Sequence, residues 1–369
     1  MKRDLYIDYA KGFATLSIIF IHTAFWSGQL YLPTEVRVLS LLIDVPVFFA
    51  LSGLTSSGNV EKTFYRLLKL QITYMIFTTV LFLLDSFMKL GIFHFFGSEG
   101  MKSYYTVFGT KYGIPNSGSV FNWEMLGNWW LHSYSNCDSF PVVMGSFWYL
   151  KVYYIVTVFA VLILRFFPRH LYWFVGICVA LTIYFNIGNN VAQNFAPNYP
   201  SGQVGYVAYY LGVFLIANLL KGKKIKNFMV PILYGLVVVS IAVLVGVYGN
   251  EIFYKLNKQK FPPKLPYIVW SLFSLVTVLV LHNRLKISKD SFMTYVGKNA
   301  IFYYFAQGMS SSVVYFVVAP LKDQMNIWVL MVLIYVLNVL LAILFAEIIK
   351  KIDDKGWKIL EYLRLKTQA

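Results

Sequence analysis

Long runs of apolar residues recur along the whole chain, separated by short polar stretches, and they leave it little choice of fold. A run of about 17 to 25 apolar residues is the length an α-helix needs to cross a bilayer. Helices and closed barrels are the structures that satisfy their own backbone groups in lipid. About ten such runs are present, at 5–27, 36–57, 65–95, 146–166, 170–187, 204–222, 228–249, 266–283, 292–319 and 326–349. The third is long enough to tilt or to project beyond the bilayer. The chain is 58% hydrophobic and only 13% charged, against about a quarter charged in soluble domains. The expectation is an all-α integral membrane protein, a bundle of about ten transmembrane helices forming a single domain over residues 1–369.

Orientation follows from the positions of Lys and Arg. With the N-terminus inside, the cytoplasmic segments are "MKRD", Gly58 to Lys69, Arg165 to His170, "KGKKIKN" at Lys221 to Asn227, "NRLKISKD" at Asn283 to Asp290, and the tail from Lys350. Together they hold 20 of the 32 basic residues, so both termini are placed in the cytoplasm. The net charge of +16 is then mostly a matter of topology and calls for no nucleic-acid partner. The first run has a basic start but no small-residue cleavage site and a His inside it, so it reads as a retained helix rather than a signal peptide. Cys137 in an outer loop and Cys178 in mid-helix suggest neither a disulfide nor a metal site. No metal is expected, and no internal repeat of the kind found in inverted-repeat transporters is visible.

Within the first run, "DYAKGFATLSIIFIHTAFW", Lys11 and His22 are ionisable groups at membrane depth, which are costly there and are functional candidates by default. Their separation of eleven residues is about three helical turns, so they share one face. Asp8, Thr15 and Ile18 fall on or near the same stripe. In the second run, Asp44 and Pro46 break the apolar pattern and "FFALSG" offers small residues for a close helix neighbour. Asp44 could hold His22 in one tautomer if the first two helices pack with these faces together. The third run opens with Lys62, Arg66 and Lys69, one turn apart, a cluster suited either to a phosphate-bearing cytosolic ligand or to ordinary membrane anchoring.

Those features, with "VPVFFALSG" at Val45 to Gly53, "GSFWYL" at Gly145 to Leu150 and "YVGKNAIFYYFAQ" at Tyr295 to Gln307, resemble the membrane acyltransferase family 3 over residues 5 to about 349. The resemblance implies O-acetylation of bacterial surface or secreted glycans at the cell membrane, with acetyl-CoA or another acyl-CoA as donor and no permanently bound cofactor. It implies further that His22 is the catalytic residue, that Lys11 stands where the family usually has Arg, and that Lys62, Arg66, Lys69 and Trp148 contact the acyl-CoA. The family's frequent proline after the basic cluster is missing in "LLKLQITYM", and Gln307 stands where many members carry His. The partners implied are a glycan or glycolipid acceptor, the bilayer, and glycan-synthesis proteins.

The chemistry asked of His22 follows from the reaction. Moving an acetyl group from a thioester to a sugar hydroxyl requires loss of the hydroxyl proton, work that suits an imidazole base. Attack of the ring on the thioester to give an acyl-imidazole is the alternative. A polysaccharide or lipid-linked-glycan transporter or flippase is the rival function, because a polar seam also suits a permeation path. A third is a structural partner of a glycan synthase.

Other residues carry weaker signals. Lys151 could pair with Glu347 or Asp44, and Lys298 and Asn299 invite similar interior roles. His94, His132, His170 and His282 lie at helix ends or in loops. Trp123, Trp129, Trp130 and Tyr134, in the long outer segment 96–145, fit sugar stacking or an aromatic belt. One exterior loop, Asn250 to Trp270, breaks the charge rule. Its Lys255, Lys258, Lys260 and Lys264 read as a basic patch that could attract an anionic acceptor.

Overall fold

The computed structural model describes residues 4–107, 120–132, 137, 139–144, 147–186 and 200–368, and every regular element of four residues or more among them is helical. In chain order the helices are α1 (Leu5–His22), α2 (Thr34–Ser40), α3 (Pro46–Thr55), α4 (Val60–Val107), α5 (Trp123–His132), α6 (Pro141–Met144), α7 (Trp148–Phe166) and α8 (Leu171–Tyr184). They continue with α9 (Pro200–Leu219), α10 (Met229–Tyr248), α11 (Glu251–Tyr254), α12 (Leu265–Leu281), α13 (Phe292–Lys298), α14 (Ala300–Leu321) and α15 (Ile327–Gln368). Six segments among the described residues are long and apolar enough to cross a membrane: Leu5–Leu30, Val60–Ser103, Trp148–Phe166, Met229–Tyr248, Ala300–Leu321 and Ile327–Lys358. Apolar helices at Pro46–Thr55, Val204–Leu219 and Leu265–Leu281 are shorter. Along α10, Ile232, Leu236, Val238, Val239, Val243 and Val247 are all exposed, the surface of a helix made for lipid rather than water.

Two of the apolar runs are not single helices. The second splits into α2 and α3 around a non-helical stretch at 41–45, because Pro46 has no N–H to continue a helix and instead opens a new one. The ninth splits at Asn299. Ser291 starts α13 with a reciprocal cap to Thr294, and the chain leaves helical geometry at Asn299 before α14 begins.

The chain forms two compact units. The first comprises Met1–Phe25, Leu32–Phe64 and Val152–Ala300. Its core joins α1, α3, α9 and α12 through Tyr6, Ile7, Ala10, Ala14, Val47, Ala50, Leu51, Leu54, Ala217 and Leu275. Glycine sets two of its contacts. A Cβ on Gly12 would lie 1.9 Å from the Met293 carbonyl oxygen, and one on Gly297 would lie 1.7 Å from that of Asp8. The backbones of α1 and α13 therefore touch, as small residues permit between membrane helices. This gives Gly297 of "YVGKNAIFYYFAQ" a packing role.

Several helix ends and their connecting loops meet within this unit. Lys221 Nζ donates to the Ser56 carbonyl (2.8 Å), Arg284 donates to that of Ile225 (2.7 Å), and His282 Nε2 lies 3.7 Å from Asp4 Oδ2. At another junction Leu265 N donates to Asn186 Oδ1 at 2.7 Å.

The second unit comprises Trp26–Tyr31, Tyr65–Lys151 and Ile301–Ala369. Phe147, fully buried, packs edge-on to Tyr74, Phe77, Tyr304 and Phe305, so "GSFWYL" and "YVGKNAIFYYFAQ" are joined by their aromatic rings. Part of the long outer segment has its own structure. Helix α5 lies on α4, where Trp130 Nε1 donates to Thr79 Oγ1 at 3.2 Å and Gln71 donates to the Trp130 carbonyl at 2.8 Å. Trp129 is buried edge-on to Phe82, so Trp129 and Trp130 are spent on packing, while Trp123 is exposed and Tyr134 lies outside the described residues. The C-terminal tail is a continuation of α15, which packs Gly356 against Ile76 of α4.

Candidate active site

Asp4 caps α1 by accepting from the Tyr6 N–H at 3.0 Å, and the helix then runs unbroken to His22. Thr15 returns its hydroxyl to the Lys11 carbonyl at 2.8 Å, so the polar stripe costs the helix no unpaired hydroxyl there. Directly after His22 the helix widens into a π-helical turn, Thr23–Ser27, and then a 3₁₀ turn, Gly28–Leu30. Such widenings are frequent at functional sites. The His22 ring is half-buried, with Nδ1 enclosed and without a hydrogen-bond partner among the described residues. Lys11 is half-buried on the same helix and Asp8 is buried.

Asp44 sits in the break between α2 and α3, 1% exposed. A carboxylate there must be supplied with donors or it will not stay ionised. Three reach it: the Val45 N–H at 2.8 Å to Oδ1, the Tyr267 hydroxyl at 3.0 Å to Oδ2, and the Lys260 ammonium at 3.5 Å to Oδ2. The carboxylate is therefore engaged by Lys260 and Tyr267 and does not orient His22 through Nδ1, contrary to the sequence expectation. The cation facing Asp44 is Lys260 rather than Lys151, which is exposed.

Lys260 also leaves the basic patch. It is 6% exposed, with its ammonium 5.3 Å from the centre of the Phe261 ring. Lys255 and Lys258 are exposed and Lys264 is half-buried, so the patch consists of three lysines. Around the buried pair, Tyr210 stacks on Phe49 at 4.5 Å, and the Tyr209 hydroxyl lies 2.6 Å from Ser271 Oγ.

Tyr267 and Tyr210 had no sequence signal as site residues, and Lys260 was read only as one of four lysines in an exterior basic patch. They stand in an apolar helix or a loop of several lysines, and nothing in either pattern marks the one that turns inward.

At the start of α4, Lys62, Arg66 and Lys69 are all exposed. Asn59 Oδ1 caps the helix by accepting from the Lys62 N–H at 2.8 Å. Lys69 already has an intramolecular neighbour, the Trp357 ring of α15 at 5.3 Å. Trp148 is half-buried at the first residue of α7. Lys298 pairs with Asp290 at 2.6 Å on the surface, and His94 and His170 are exposed. His282 is buried between Asp4, Asn283 and the Tyr6 ring, a packing role. Gln307 is 1% exposed in the second unit, with both amide atoms lacking a hydrogen-bond partner among the described residues.

Apolar helices of spanning length, a half-buried histidine at a π-turn and a buried ion pair beneath tyrosines define a membrane protein with a polar site inside its helices. The chain belongs to the acyltransferase-3 family, whose model, described as an acyltransferase domain, matches residues 4–347. It is thus a membrane acyltransferase by family. No curated protein and no solved structure matches the chain.

Proposed function

We propose that the protein is an O-acetyltransferase that moves acetyl from cytoplasmic acetyl-CoA to a hydroxyl of a cell-surface or lipid-linked glycan, with His22 at the transfer step. It would sit in a bacterial cell membrane as about ten helices with both termini inside, beside the proteins that build its acceptor. The observation that carries this reading is the His22 ring itself. It ends α1 directly before the π-turn, with Nδ1 enclosed and bound to no partner among the described residues, so the imidazole is not committed to a structural hydrogen bond through that nitrogen. Lys11, on the same helix face, supplies positive charge near the reacting thioester. Arg66 with Lys62 would hold the donor's phosphates, with Lys69 and Trp148 as further contacts, since exposed cations at a helix start suit phosphate.

The test is a comparison of cells carrying the wild-type protein and His22→Ala at equal membrane levels. Surface glycan acetyl content, read by NMR, should fall to that of cells lacking the protein. Full acetylation by a stably expressed His22→Ala would remove His22 from the mechanism.

A further inference from the structure

Resting on the reading above, we propose that Trp357 is a specificity-determining residue of the donor site, the ring on which the adenine of acetyl-CoA stacks beside the phosphate contacts of Arg66 and Lys69. Within the second unit the tail of α15 lies on α4, with Gly356 against Ile76 and the Trp357 ring 5.3 Å from the Lys69 ammonium. Tyr65, Arg66 and Lys69 are all exposed, and at about 100° per residue they fall within about 100° of arc on α4. One helix face thus offers two cations and a tyrosine, and the tail adds an indole to it. Trp357 is half-buried with its indole nitrogen enclosed, so the ring is anchored by that edge. What lies over its face is an exposed lysine. The residue falls beyond 4–347, the part of the chain that the family model matches, so the family assigns it no role.

The magnitudes decide what takes that seat. An exposed cation over an aromatic ring shifts an equilibrium only about 2- to 5-fold, whereas a nucleobase stacked on such a ring shifts it about 5- to 150-fold. A base therefore displaces the lysine from the indole. The displaced ammonium, on the same helix face as Arg66, is then available to phosphate, where Arg gives a bidentate contact and Lys a point charge. The ligand class that gains both contacts is a phosphate-bearing nucleotide, and the adenosine 3′,5′-bisphosphate head of CoA is one. An anionic lipid headgroup gains the phosphate contacts but brings no base to the indole.

The experiment uses the full chain in phosphatidylcholine nanodiscs, with membranes of the host cell as acceptor. Binding of adenosine 3′,5′-bisphosphate is measured by calorimetry. KM is measured for acetyl-CoA and for S-acetyl-4′-phosphopantetheine, a donor that keeps a phosphate and lacks the base. Trp357→Leu keeps apolar bulk without a π face, Trp357→Phe keeps a ring, and Arg66→Ala removes a phosphate contact. Thermal midpoint reports folding. Independently of any variant, 8-azidoadenosine 3′,5′-bisphosphate is photolysed on the wild-type chain and the labelled tryptic peptide is identified.

In Trp357→Leu the Kd of the bisphosphate and the KM for acetyl-CoA should both rise about 10-fold, while the KM for the phosphopantetheine donor changes less than about 2-fold. Trp357→Phe should stay within about 3-fold of the wild type. Arg66→Ala should raise the KM for both donors, and the photolabel should fall on Gly356–Lys358. Equal weakening of both donors by Trp357→Leu, or of neither, would make Trp357 a packing residue and overturn the inference. Labelling that the unmodified bisphosphate competes away and that falls only on other peptides would do the same. If the wild type uses acetyl-CoA when that happens, the failure is confined to Trp357. A wild type that neither binds the bisphosphate nor uses acetyl-CoA removes the donor reading beneath it as well.

Discussion

Two buried aspartate–lysine pairs, one in each unit, solve the same electrostatic problem in different ways. In the second unit Asp85 and Lys89 lie one turn apart on α4 with 2.6 Å between charges. The contact is a close charge contact rather than a well-aligned hydrogen bond, as the geometry of neighbours on one helix allows. Asp85 Oδ1 also accepts from the Ser139 N–H at 2.8 Å, and next to it Ser86 donates to the Val120 carbonyl at 3.0 Å. That pair anchors a returning loop to a helix. In the first unit Asp44 and Lys260 are 216 residues apart and join at 3.5 Å, with the Tyr267 hydroxyl as a second donor at 3.0 Å. A tight pair formed within one helix ties a loop to that helix, whereas a looser pair assembled from distant segments joins a helix break to a loop far along the chain.

That difference is open to direct attack. The largest effect on stability should come from Asp85→Ala, which removes the buried carboxylate facing Lys89. A loss of about 3–5 kcal/mol is expected, read as a lower thermal midpoint in detergent, with activity falling only because folded protein is lost. Asp85→Leu/Lys89→Met should recover both stability and transfer. If that double variant stays folded and inactive, the contrast between the two pairs fails.

Tyr267→Phe removes one donor to Asp44, a hydrogen bond to a charged group valued at about 1.5–3 kcal/mol. Its signature should be a lower kcat at unchanged KM. Ser86→Ala, the matching loss beside the other pair, should cost about 1 kcal/mol of stability and leave kcat alone. Equal kcat losses in both would mean that any buried polar deletion is felt at the site.

Smaller effects are expected at the surface. Arg66→Ala and Lys69→Ala should raise the KM for acetyl-CoA several-fold with less change in kcat, since remote phosphate contacts contribute mostly uniform binding. Lys69 should show the weaker change, because Trp357 already occupies it. A selective loss of acceptor use would place the donor elsewhere. Smallest of all, converting Lys255, Lys258 and Lys264 to Gln should lower acceptor use about two- to three-fold at low salt and not at high salt, as screening of a surface field requires. An effect independent of salt would mean direct contact instead.

Much of this was legible in the residues, and the illegible part has one cause. Helix periodicity and hydropathy are local, so the spanning runs, the shared face of Lys11 and His22, and the break at Asp44 and Pro46 could be read from the chain. The family resemblance was legible from the motifs taken as a set, and the family match over 4–347 bears out that resemblance. Missed were the break at Asn299, the close seating of Gly297 on α1, and the separation of Lys260 from its neighbouring lysines. Each depends on what a distant segment brings.

By itself the sequence determined that this chain enters a membrane as helices, and where along the first of them an imidazole stands, because both follow from side-chain polarity at fixed helical spacing. Only the tertiary structure decided the partner of Asp44. A buried carboxylate must draw a cation and donors from whatever the fold places nearest. Here these were Tyr267 from α12 and, of four lysines in one loop, Lys260.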